Sequence, residues 1–117
     1  IWFEYEVLDK NIREFNFSFG VDSFLGQNRI ALISNKIVEK KIIVKNKQNN
    51  FIKIKIKNLP LNIGRYQITT FADYKGDVLD WVQGAGIFNV EYGNFYNTNQ
   101  MPPQDQGSLL FNYDFIQ

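Results

Sequence analysis

Phe15-Asn16-Phe17-Ser18-Phe19-Gly20-Val21, residues 15–21, alternates large apolar side chains with small or polar ones. A period of two belongs to a strand with one buried face. The same period recurs outward from this stretch in both directions. Towards the start, Ile1, Phe3, Tyr5 and Val7 alternate with Trp2, Glu4 and Glu6. Towards the end, residues 29–33 follow a Gly26-Gln27-Asn28 turn, and residues 41–45 are β-branched and half alternating. Ile52, Ile54 and Ile56 alternate with Lys53, Lys55 and Lys57. Residues 65–72 follow Pro60 and an Asn62-Ile63-Gly64 turn, residues 87–92 follow Gly84-Ala85-Gly86, and residues 108–115 close the chain. Lys47-Gln48-Asn49-Asn50 reads as a hairpin turn, because Asn tolerates positive φ. Only residues 35–40 could make a helical turn. Seven or eight short strands spaced by turns predict a single all-β domain over residues 1–117, an antiparallel sandwich or barrel. Residues 93–107 form a long polar loop, the kind of segment that often carries function.

The 117 residues contain no Cys and no His, while Phe, Tyr and Trp make up 16%. Disulfides, thiolate nucleophiles, Ser-His-Asp triads and His or Cys metal sites are excluded. No cofactor is expected, and the composition favours binding over catalysis. The chain starts without Met or a leader pattern, so it reads as a piece of a longer protein beginning inside a strand. No apolar run is long enough to span a bilayer, and the lack of Cys agrees with a cytoplasmic location.

The net charge of +1 hides a strong asymmetry. Residues 36–57 hold eight Lys and one acid, Glu39. Such a block suits anionic phosphates, but it is read here as the solvated face of a hairpin whose lysines deter edge pairing. It lacks the arginines and stacking platforms of single-strand binders, so no nucleic acid partner is expected.

Asp73, Asp77 and Asp80 cluster between two expected strands. A calcium site or a glycosidase pair would use such acids, yet the spacing is not that of a calcium loop, and a polar loop with Asp-Gly-type turn chemistry is the simpler account. Gly84-Ala85-Gly86 lacks the following helix that a phosphate site needs, so a bulge or a close strand crossing is expected there. If Tyr66, Ile68 and Thr70 face the core, then Arg65, Gln67, Thr69 and Phe71 face outward. A ring beside amides and hydroxyls can hold a sugar, whose C–H face packs on the ring. Trp2 is a second ring of this kind, and Asn16, Ser18 and Asn89 are further polar partners. These aromatics could equally cover a partner subunit or a strand absent from this piece, and both readings stand at this point.

From residue 59 onward the order of features resembles one family. Leu59-Pro60-Leu61-Asn62-Ile63-Gly64-Arg65-Tyr66-Gln67-Ile68 is similar to its strand entry of a leucine, Gly-x-Tyr and alternating apolar residues. Asp77-Val78-Leu79-Asp80-Trp81, Phe88-Asn89-Val90 and Gly107-Ser108-Leu109-Leu110 with Phe115 resemble its later segments, Phe115 standing where a Trp is usual. Tyr5-Glu6 and residues 15–21 resemble its second and third strands. The family is the C-terminal carbohydrate-binding domain of the ATP-binding subunit of bacterial polysaccharide ABC exporters, the Wzt-type proteins of O-antigen export.

The resemblance implies a jelly-roll-like sandwich with one more strand before Ile1. It implies non-catalytic binding of a lipid-linked polysaccharide at the cytoplasmic face of the plasma membrane, alongside the ATPase and membrane subunits. It also implies a homodimer joined through the last strand, hence through Leu109, Leu110, Phe111, Tyr113 and Phe115. The lysine-rich hairpin is not a family signature, and no sugar-contacting residue is carried over.

Overall fold

The computed structural model describes residues 1–45 and 50–117; the expected turn at Lys47-Gln48-Asn49 lies outside them. The chain is all-β. Its strands are β1 (Trp2–Tyr5), β2 (Glu14–Ser23), β3 (Arg29–Ser34), β4 (Ile42–Ile43), β5 (Asn50–Lys53), β6 (Gly64–Tyr74) and β7 (Asp77–Val90). They form two antiparallel sheets. The larger has the order β3-β2-β6-β7, with β4 also paired to β2, and the smaller is β1-β5.

The alternation at residues 15–21 lies on β2, the central strand. Its register with β6 sets Phe17, Phe19 and Val21 opposite Ala72, Thr70 and Ile68. These side chains point to the smaller sheet, whose Phe3 ring lies 4.9 Å from Phe17 and 5.3 Å from Phe19. Phe3 thus joins the two layers, and Phe19, Val21, Leu61 and Tyr66 form the buried cluster beneath it. Burial pushes the Tyr66 phenol above its usual pKa, and its hydroxyl donates to the Asn62 carbonyl at 2.7 Å.

Three expectations are corrected. The Asp73–Asp80 region is no loop: Lys75 and Gly76, at φ 49° and 87°, make a two-residue turn, and β7 starts at once. Two consecutive positive φ values match the twist of a hairpin; Lys-Gly is a weaker written signal for it than Asn-Gly. Asp73 therefore stands on β6, Asp77 and Asp80 on β7, and no group of acids among the described residues could hold a metal. Residues 108–115 make no strand, only an isolated bridge between Leu61 and Leu109. Residues 41–45 contribute just the two-residue β4.

The bulge at Gly84-Ala85-Gly86 is present. Ile68 pairs with Gly86 and Thr70 with Val82, so three residues of β7 stand against Thr69 alone. Residues 93–107 form a loop containing one 3-10 turn, Gln104–Gln106. No helix among the described residues is long and apolar enough to cross a membrane.

Candidate functional site

The outer face of the larger sheet carries the side chains out of phase with the core. The β2–β6 register sets Ser18, Gly20 and Asp22 opposite Phe71, Thr69 and Gln67. Arg29 follows across the sheet from Asp22. Asp22 is buried, at 5% exposure, and both its oxygens are used. Arg29 Nε donates to one oxygen, and the Thr69 hydroxyl donates to the other at 2.6 Å. A buried carboxylate needs such partners, since each lone pair left bare would cost a desolvation penalty.

Glycines make the space around this cluster. The Arg29 guanidinium lies where a Cβ on Gly20 would stand, so only glycine admits it. Gly26 (φ 69°) and Gly84 (φ 61°) approach Gln67 from two sides; an ideal Cβ on either would lie 3.1 or 3.6 Å from Gln67 Oε1. Both need the left-handed backbone that glycine adopts freely. The result is a concave pocket of about 420 Å³ lined by Asp22, Arg29, Gln67, Thr69, Gln83 and the two glycines, with Leu25.

Aromatic rings stand at both ends of this strip. Phe71 packs edge-on to Trp81 at 6.2 Å, and Trp81 is 60% exposed. At the other end the Arg65 guanidinium sits 5.1 Å from the Phe24 ring, and its Nε donates to Asn89 Oδ1 at 3.2 Å. Amide, guanidinium and hydroxyl groups between two apolar ring surfaces can pair sugar hydroxyls while ring faces cover C–H groups.

Arg65, Gln67, Thr69, Phe71 and Asn89 thus share one face, as the alternation predicted. Thr69 is corrected: it is buried, and its hydroxyl is committed to Asp22, so it shapes the pocket from beneath. Asn16 and Ser18 lie on the same face, half-buried; the Asn16 amide oxygen accepts from Asn35 at 3.3 Å. Trp2 is separated from this group. It points away from the core on the smaller sheet, beside Phe51, so the two proposed rings occupy opposite outer surfaces.

The sequence reading missed Asp22, Arg29, Gln83, Phe24 and Trp81. Asp22 was recoverable, because it continues the Asn16, Ser18, Gly20 phase into the outer face. Gln83 and Trp81 precede the strand expected at residues 87–92, whereas β7 already starts at Asp77.

Of the expected dimer residues, Leu109, Phe111, Tyr113 and Phe115 are exposed, whereas Leu110 is corrected to a core position at 4% exposure. Its N–H donates to the Pro60 carbonyl at 2.9 Å, which holds the residue against its own chain. A second groove, about 750 Å³, opens between the end of β7, the 93–97 loop and Tyr113.

No protein-family model matches the chain, and no curated protein matches it.

Proposed function

We propose that the outer face of the larger sheet binds a glycan without transforming it. The observation that carries this reading is the glycine-walled polar pocket between the Phe71–Trp81 and Phe24–Arg65 ends. The resemblance supports the wider setting: a jelly-roll-like module recognising a lipid-linked, O-antigen-like polysaccharide at the cytoplasmic face of the plasma membrane, for an ABC exporter's ATPase and membrane subunits. Affinity per site is modest, because sugar hydroxyls give up good hydrogen bonds to water on binding.

Titration with polysaccharides from the source bacterium is the test. Gln67→Ala and Phe71→Ala should each weaken binding about tenfold, the loss of one hydrogen bond or one ring contact. Trp2→Ala should leave it unchanged. Equal binding by all three variants removes this face, and no binding by the unaltered chain removes the function.

A second reading, a dimerisation module, has its own support. The chain exposes 9257 Å², against about 6600 Å² for a compact monomer of this mass. Its radius of gyration is 17.0 Å, against about 13 Å for a compact chain. Leu109, Phe111, Tyr113 and Phe115 contribute to that excess. Light scattering should give a dimer that dissociates when residues 111–117 are removed. A monomer in both forms ends this reading.

A further inference from the structure

The outer face of the smaller sheet lies on the other side of the sandwich and has chemistry of its own. The β1–β5 register pairs Trp2 with Lys53 and Glu4 with Phe51. Phe3 and Ile52 turn to the core side, so Trp2, Glu4, Phe51 and Lys53 share the outer side. The alternation runs on past β5: Ile54 and Ile56 pack on the core, while Lys55 and Lys57 are exposed. Trp2 and Phe51 are 64% and 57% exposed, with rings edge-to-face at 6.1 Å. Lys53 Nζ sits 5.1 Å from the Trp2 ring.

Charge on this face is polarised along the strands. From the aromatic pair, Lys53, Lys55 and Lys57 run in one direction, while Glu4 and Glu6 run in the other. The seven described lysines of residues 36–57 are all exposed, and none is ion-paired to another described residue. Exposed rings beside a row of unpaired ammonium groups match the boundary layer of a negatively charged bilayer. Trp and Phe settle at the level of the headgroups, and lysines extend to the phosphates.

We propose that Trp2, Phe51, Lys53, Lys55 and Lys57 form a docking surface for an anionic lipid bilayer. A nucleic acid is the poorer fit. Bases stack on ring faces, but an interplanar angle of 86° gives no shared platform, and Lys53 already occupies a face of Trp2. The row also lacks the arginine forks and amides that read base edges. This surface is independent of the glycan reading, since it uses neither the pocket nor its flanking rings.

The test uses the chain with Trp81→Phe, which leaves Trp2 as its single indole, and vesicles of phosphatidylcholine with or without phosphatidylglycerol. With phosphatidylglycerol the Trp2 emission should shift to the blue and the protein should sediment with the vesicles, both effects fading as salt rises. Replacing Lys53, Lys55 and Lys57 together by Gln should cut partitioning more than tenfold, since each lysine near such a surface is worth about fivefold. Trp2→Ala with Phe51→Ala should abolish it. These side chains are exposed, and circular dichroism verifies the fold; if a variant misfolds, the salt dependence of the parent chain decides. No partitioning into phosphatidylglycerol vesicles, or partitioning that the lysine variant leaves intact, overturns the proposal. A Trp2 shift with oligonucleotides but not with vesicles also overturns it and assigns the surface to nucleic acid.

Discussion

Asn62→Ala should lower stability by about 3 kcal/mol, a fall in Tm of roughly 10 °C for a chain of this size. Asn62 is 1% exposed. Its side-chain NH2 donates to the carbonyls of Pro102, Pro103 and Gly107 at 3.1, 3.4 and 3.1 Å, two hydrogens shared among three acceptors. Its Oδ1 accepts the Ile63 N–H at 2.8 Å, and its backbone N–H donates to Ser108. One side chain therefore ties the 93–107 loop to the entry of β6. Without it, three carbonyls lose their shared donor and a cavity is left at a position only 1% exposed. Asn62→Asp should do similar harm, because a carboxylate has no hydrogen to donate. Thermal denaturation measures the loss, and hydrogen exchange across residues 93–107 should rise with it. A Tm within about 2 °C of the parent would show that the loop holds itself.

Asp22→Ala should be the most damaging change in the proposed binding site. It removes the acceptor for Thr69 and the anchor for Arg29 together. Loss of a fully buried pair is worth several kcal/mol, but the Arg29 side chain is 47% exposed and regains water. The expected loss is therefore about 2 kcal/mol, most of it from the stranded Thr69 hydroxyl and the emptied volume. Glycan affinity should fall more than tenfold, since Arg29 loses the contact that fixes its orientation. Denaturant titration and glycan titration of the same variant separate the two effects. Full affinity in a folded Asp22→Ala chain would mean that Arg29 takes no part in recognition.

What the sequence discloses follows from how locally each feature is encoded. The alternation at residues 15–21 and 65–72 correctly sorts Phe19, Val21 and Tyr66 inward and Gln67 and Phe71 outward, because side-chain direction in a strand depends only on parity. The bulge at Gly84 was readable for a similar reason: glycine inside an apolar run marks a broken ladder. The Asp22–Arg29–Thr69 cluster was not readable. It joins three strands, and its existence depends on Gly20 leaving room for a guanidinium from a neighbour nine residues away. Trp2 and Phe71 read as two rings of one kind, yet they lie on different sheets, because parity names a face within a sheet and never says which sheet. Leu110 and Phe111 looked equivalent at the chain's end, and the Pro60 carbonyl, fifty residues earlier, decides between them.

Strand β7 carries one more consequence. It pairs only with β6 among the described residues, so its other edge offers a row of free N–H and C=O groups. Val78, Leu79, Trp81 and Val82 are exposed along it, and Asp77 and Asp80 are the charges that interrupt them. An uncovered edge of this kind templates further strands, ordered or not. The resistance of this edge to further pairing thus rests on two carboxylates. Replacing both by Asn removes the electrostatic guard from an edge able to template a fibril.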